Sequence, residues 1–204
     1  MLLYANGDSH TAPEYSYASL VAKEFGSSLI NQAQGGSSNA SIIRRTREYL
    51  EHSTPDFIVI GWSTWEREEW YVDNVYYNVN SSGYDVLPNN LKARYKAWVK
   101  RQNTDTLTKK SKKTHQDIFD LHRYLQEKNI KHLFFNCMYN FVHTVHEPYN
   151  WSNQFLGPYD NDKSYYWYLK GQGMSTDNWF HYKSDGHALW AEFLINYIKE
   201  NKLI

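Results

Sequence analysis

Ser9 stands in "GDSH" (7–10), directly behind the short apolar run "LLYAN" (2–6). A serine hydroxyl is a weak nucleophile and needs a base, usually a histidine with a carboxylate behind it. The chain supplies such a cluster near one other strand-to-helix junction, in "DNWFHYKSDGH" (177–187), with Asp177, His181, Asp185 and His187. Two further glycine-bearing turns, "QGGSSN" (34–39) and "GWSTWER" (61–67), also follow apolar runs. Glycine lets backbone approach a ligand closely, and a helix N-terminus favours negative charge. From these residues alone "GDS" reads either as a tight turn or as a serine aimed at a substrate.

Those turns gain meaning from the elements around them. "YSYASLVAKEF" places Tyr17, Leu20, Val21 and Phe25 on one helical face, stopped by Gly26. "SLINQA" (28–33) is a second strand, followed by a helix on which Ile42, Ile43, Tyr49 and Leu50 share a face. Ser37, Ser38 or Asn39 can cap that helix. "DFIVIGW" (56–62) is a continuous apolar run, suited to a strand buried on both sides. Alternation resumes at "HQDIFDLHRYLQEKN", with Ile118, Leu121 and Leu125 as its stripe, then the strand "KHLFFNC" (131–137). The last helix carries Trp190, Leu194, Tyr197 and Ile198 at helical spacing. Strands alternating with helices predict one α/β domain over 1–204, a parallel sheet with helices on both faces. Ligands gather at the carboxyl ends of such strands, which is where all three turns fall. The segments 66–112 and 138–183 read as elaborated loops around that edge.

The bulk properties exclude several functions. Lys plus Arg and Asp plus Glu both number 22, so no net field favours nucleic acid or an acidic membrane. Nothing approaches the roughly 18 apolar residues of a membrane span. The opening "MLLYANGD" has no basic region or long apolar stretch, which sets the expectation of a cytoplasmic or otherwise non-secreted protein. The single cysteine, Cys137, ends an apolar run and reads as a buried thiol. Aromatic residues make up 17% of the chain, 18 of them Tyr and 8 Trp, although mean hydropathy is low. Tyr and Trp combine an apolar body with a polar edge, and surfaces that bind sugars or partners use them.

Gly7-Asp8-Ser9 at the first strand end, Gly36 followed by Ser-Ser-Asn, and a late Asp/His segment before "GHALWA" together resemble the SGNH (GDSL-type) hydrolases. The four blocks occur in order along the whole chain, though about 25 residues carry them. The resemblance implies a three-layer α/β/α sandwich with a flavodoxin-like parallel sheet, and serine ester hydrolysis without cofactor or metal. It makes Ser9 the nucleophile, with its own N–H in the oxyanion hole. Gly36 would give a second donor, with Gly35 as its competitor. The third block departs from Gly-x-Asn-Asp: it reads Gly61-Trp62-Ser63-Thr64. Ser63 then stands where the amide donor should be, and a rotatable hydroxyl is less preorganised. Loss of one such donor costs about 3 kcal/mol of transition-state stabilisation.

His181 is expected as the base because His187 follows it by the family's six residues, and Asp177 as its acid, one residue further back than the pattern, with Asn178 in the usual place. Asp185 and His187 are the rival pair. Asp8, His10, Asn39, Trp62 and Arg67 flank the turns as candidates for substrate contact. The aromatic loops favour an acyl group on a carbohydrate or similar small ester, hydrolysed or transferred. The other class compatible with these features is a non-catalytic binding module that keeps the fold. His143 and His146 in "HTVHE" have metal-ligand spacing but read as loop histidines. "KKSKK" (109–113) reads as a solvated helix entry, and "WEREEW" (65–70) as a surface ion-pair helix start or an anion contact.

Overall fold

Alternate side chains of the central strands leave the sheet on opposite faces, and in this chain both faces are apolar. The structure, a computed structural model, describes residues 1–142 and 145–204. In chain order its elements are β1 (Leu2–Asn6), α1 (Tyr17–Glu24), β2 (Ser28–Asn31), α2 (Asn39–Leu50), β3 (Phe57–Trp62), β4 (Glu68–Val72) and β5 (Val75–Val79). Then come α3 (Asn89–Lys100), α4 (Thr104–Glu127), β6 (Lys131–Asn136), a 3-10 turn (Asn161–Lys163), α5 (Tyr165–Gly171) and α6 (Ser184–Glu200). Four strands form a parallel sheet in the order β2-β1-β3-β6. Leu3, Ala5, Phe57, Val59, Leu133 and Phe135 face α1, α5 and α6, where Tyr17, Val21, Trp190 and Leu194 complete one core. Tyr4, Ile58, Ile60, Trp62 and Phe134 face α2 and α4, where Ile42, Ile118, Leu121 and Leu125 complete the other. Beyond β6 the edge is covered by a single parallel bridge to Phe155. The Phe134 N–H donates to Gln154 O and the Leu156 N–H to Phe134 O, each at 2.8 Å.

Residues 66–112 contain more regular structure than the sequence suggests. "EEWYV" and "VYYNV" pair as an antiparallel hairpin, with Tyr71 opposite Tyr76 and Val72 opposite Val75. Asp73 and Asn74 make its turn at φ of 50° and 61°, the left-handed pair that a two-residue hairpin requires. The "WEREEW" segment is therefore a turn running into strand β4, not a helix start. Trp70, Val79, Leu87, Leu91, Tyr95 and Trp98 close a third, smaller apolar cluster between this hairpin and α3. Helix α4 begins at Thr104, where the Asn103 side chain accepts the Thr106 N–H at 2.9 Å. Its polar first turns concealed that start, and the "KKSKK" run lies inside the helix. Lys110 reaches the Glu68 carboxylate at 2.6 Å and the Glu66 carbonyl at 3.1 Å, fastening the hairpin to α4.

His146 bonds the Ser111 hydroxyl at 2.8 Å, and no group of residues among those described could hold a metal ion. His143 lies outside the described residues. No helix among the described residues is long and apolar enough to cross a membrane.

Several histidines are buried as neutral rings. The His132 Nδ1–H donates to the Ile130 carbonyl at 3.0 Å, which leaves its Nε2 to accept from His122 Nδ1 at 2.8 Å. Burial lowers His132 to about 3 and His115, His122 and His187 to about 4. Unfolded imidazoles titrate near 6.5, so between that pH and 4 the unfolded chain binds more protons than the folded one. Stability should fall as pH drops through this window, by up to about 1.4 kcal/mol per pH unit for each ring. Urea unfolding from pH 7 to 4.5 reads the slope. A flat profile would show that these rings do not stay neutral.

Candidate active site

The first strand ends in a side-chain network that fixes the turn behind it. Asn6 Oδ1 accepts the Gly7 N–H at 2.8 Å and Arg45 Nη2 at 3.2 Å. Its amide donates to Ile42 O and Thr46 Oγ1. Arg45 also bonds Gln34 Oε1 and the Ser37 hydroxyl, so one guanidinium on α2 ties the 34–37 turn to the end of β1. Gly7 has no room for a side chain: a Cβ there would collide with Thr11 Oγ1 and approach the Gly61 carbonyl to 2.9 Å. The next residues wind into a helical turn, with Thr11 and Ala12 N–H groups on the Asp8 carbonyl. Ser9 leaves that turn on its half-exposed side.

Its partner comes from the far end of the chain. His181 Nε2 lies 2.9 Å from Ser9 Oγ. His181 sits in a tight loop closed by an antiparallel bridge between Thr176 and Tyr182, with Phe180 at φ 66°. Asp177 organises this loop: its Oδ1 accepts the Trp179 N–H at 2.8 Å and the His181 N–H at 2.9 Å. Its Oδ2 is 3.5 Å from His181 Nδ1, an ion-pair distance on an exposed rim rather than a tight hydrogen bond. The His181 N–H above all, then that of Trp179, holds the Asp177 carboxyl below its usual range. The tight turn accounts for the extra residue between Asp177 and His181: Asp177 caps the loop and still faces Nδ1. Asp185 instead occupies the first turn of α6, where its Oδ1 takes the Gly186 N–H. His187 is buried against Tyr165 and Tyr17, with the Tyr165 hydroxyl 3.4 Å from both ring nitrogens, and does not reach Ser9.

Gly36 lies beside Ser9 and His181 in a cavity of about 250 Å³. Its φ of 74° suits glycine, and neither its N–H nor that of Ser9 has an acceptor among the described residues. Gly35 is one step behind: a Cβ there would touch Ser9 Cβ at 3.9 Å, but the residue does not line the cavity.

Four of the residues assigned to substrate contact, and the third-block serine, do other work. Ser63 is buried and donates its hydroxyl to Asp8 Oδ2 at 3.0 Å, so it is not free to face an oxyanion. Asn39 accepts the Ser63 N–H at 2.8 Å and donates to the Ser63 carbonyl at 2.9 Å, which uses its amide to clamp the end of β3. Asp8 is fully buried beneath the turn that carries Ser9, bonded to Arg67 at 3.2 Å as well as to Ser63 and the His10 N–H. Burial pushes its carboxyl up, but His10 and Arg67, with those hydrogen bonds, outweigh it and hold Asp8 low. His10 is buried between Tyr165 and His181, its ring centre 5.2 Å from each. Burial lowers its pKa, against the upward pull of the Asp8 carboxylate. Trp62 is core, edge-on to Phe134. Only Arg67 of this group lines the cavity, although one of its nitrogens is spent on Asp8 and the Ser37 carbonyl.

The remaining walls come from Glu66, Asn80, Ser81, Ser82 and Trp179. None of these was singled out in the sequence. "NSSG" (80–83) reads as an ordinary polar turn, and only the packing of the hairpin beside α2 carries it to Ser9.

No protein-family model and no curated relative matches the sequence. Solved structures do resemble it. The psychrotrophic esterase EstA from a Pseudoalteromonas species, inhibited by monoethylphosphonate, aligns over 98% of this chain and 97% of its own at 15% identity and TM-score 0.55. A GDSL-like lipase from Bacteroides thetaiotaomicron aligns over 97% and 87% at 14% identity and TM-score 0.55. TesA aligns over 100% of both chains at 13% identity and TM-score 0.53. The chain thus has the α/β fold of GDSL-type hydrolases, as the sequence blocks suggested.

Proposed function

We propose that this chain is a serine ester hydrolase that removes, or transfers, a small acyl group from a carbohydrate or similar ester. The observation that carries the reading is the 2.9 Å contact between Ser9 Oγ and His181 Nε2, groups 172 residues apart in sequence. Both side chains stand at the rim of a cavity and neither is needed by a core. His181 takes the hydroxyl proton as Ser9 Oγ attacks the ester carbonyl, and Asp177 orients the imidazole and balances its charge. The resulting oxyanion meets the N–H groups of Ser9 and Gly36. Collapse expels the alcohol, which takes the proton back from His181 and leaves an acyl group on Ser9. Water, or a second alcohol in the case of transfer, then attacks the acyl-enzyme with the same base.

The substrate class rests on the rim. Trp179 is 72% exposed and lines the cavity beside Asn80, Ser81 and Ser82. An indole face suits the C–H side of a sugar ring, and amide and hydroxyl groups suit its edge. A fluorophosphonate probe followed by peptide mapping tests the reading. The expected result is one adduct on the peptide carrying Ser9, with release of acetate from acetylated oligosaccharides. Folded protein that takes no label would leave a binding module that shares the fold.

A further inference from the structure

We infer that Asn80, at the end of β5, supplies the third oxyanion donor that the third block lacks. The inference rests on the ester-hydrolase reading above and concerns the residue that completes its hole. The usual position is closed to this role, since the Ser63 hydroxyl is committed to Asp8 and its N–H to Asn39. Asn80 lines the same cavity as Ser9, Gly36 and His181. Its Nδ2 is the nearest atom to the open face of Gly36, 3.3 Å from where a Cβ would stand, so the glycine leaves the amide a clear approach.

The orientation of that amide is fixed by chemistry. Asn80 Oδ1 accepts the Ser82 N–H at 3.0 Å, and a backbone N–H can only donate. The oxygen therefore faces Ser82, and the NH₂ group faces the cavity, where it has no acceptor among the described residues. The backbone is held as firmly. Tyr95 donates its hydroxyl to the carbonyls of Asn80 at 3.0 Å and Ser81 at 2.7 Å. Two residues earlier, Asn78 Oδ1 accepts the Ser38 N–H at 3.0 Å, pinning β5 to the N-terminus of α2 just past Gly36. A donor fixed before the reaction costs no reorganisation when charge develops, and that property gives oxyanion donors their effect. The hairpin that interrupts the α/β alternation thus returns an amide to the place where Ser63 cannot provide one.

Asn80→Asp keeps the oxygen that caps Ser82 and removes the donor, but it also puts a negative charge beside the developing oxyanion. Asn80→Ser is the second variant, because its hydroxyl can still take the Ser82 N–H but is too short to reach Gly36. With p-nitrophenyl acetate as probe, kcat should fall roughly 10²- to 10³-fold in both, with KM within about threefold of wild type. Fluorophosphonate labelling at Ser9 should slow in parallel. If Asn80 served only its turn, Asn80→Ser would keep wild-type kcat even where the charge of Asn80→Asp slows the reaction, and that result in folded protein overturns the inference. Wild-type protein that neither labels nor turns over would sink the ester-hydrolase reading itself. Active wild type with an equally active Asn80→Ser would sink Asn80 alone.

Discussion

Alanine at His181 is expected to lower kcat for a short ester by roughly 10²- to 10⁴-fold, the usual contribution of a general base. Alanine at Ser9 should abolish covalent labelling and reduce turnover to a trace. Neither change should disturb the fold much: among the described residues Ser9 Oγ bonds His181 alone, and His181 is on an exposed loop. His187→Ala makes the informative contrast. That ring is packed among Tyr17, Tyr165 and Tyr15, so its loss leaves a hole in the core and lowers Tm, with little effect on rate once folding is matched. Asp177→Asn should fall between. Its amide oxygen can still take the Trp179 and His181 N–H groups, preserving the loop, while the charge opposite Nδ1 is gone. Because that pair is exposed and 3.5 Å apart, the loss should be smaller than at His181. Measuring kcat for all four variants at saturating ester decides the assignment. A near-normal His181→Ala beside a dead His187→Ala would refute the geometry.

The contrast between these two histidines also shows what a sequence can convey. The six-residue spacing that the resemblance implies pointed to His181, and a loop before a helix can swing toward the sheet edge while a first-turn side chain cannot. The parallel strands were legible for a similar reason: "FIVIGW" is apolar throughout, as burial on two faces demands. The β4–β5 hairpin was not, although "Asp-Asn" between two aromatic runs is a turn signal. Glu68 and Glu69, which here pair with Lys110 and Arg44, hid the alternation. The polar groups behind the site were least legible of all. Asp8, Asn39, Ser63 and Arg67 are types that bind substrates, and their positions beside the turns invited that role. Here they bond one another, a choice set by distances that exist only after β1, α2 and β3 have packed. Asn80 was hidden by the same logic in reverse: a common turn residue given an uncommon place.

Arg67→Met is the change expected to cost most stability, about 3–5 kcal/mol at neutral pH, as for other buried pairs stripped of one partner. The Asp8 carboxylate has no solvent contact, and Arg67 is its one permanently charged neighbour within 4 Å among the described residues. With Arg67 present, Asp8 titrates below its unfolded value of about 3.9. Its contribution is therefore complete above that pH and is lost as pH falls through the lower folded value. In the variant one of the groups that holds Asp8 low is gone, so the folded carboxyl titrates higher than in wild type and acidification costs the variant less. The gap between wild type and variant should accordingly narrow on going from pH 7 to pH 4 in urea unfolding. Asp8→Asn should cost less, because it leaves the lone charge on Arg67, which is 18% exposed and can turn to water. Adding Asp8→Asn to Arg67→Met should recover part of the loss, a coupling of about 0.5–3 kcal/mol. A pH-independent gap with additive single effects would mean that this ion pair does not hold the nucleophile turn in place.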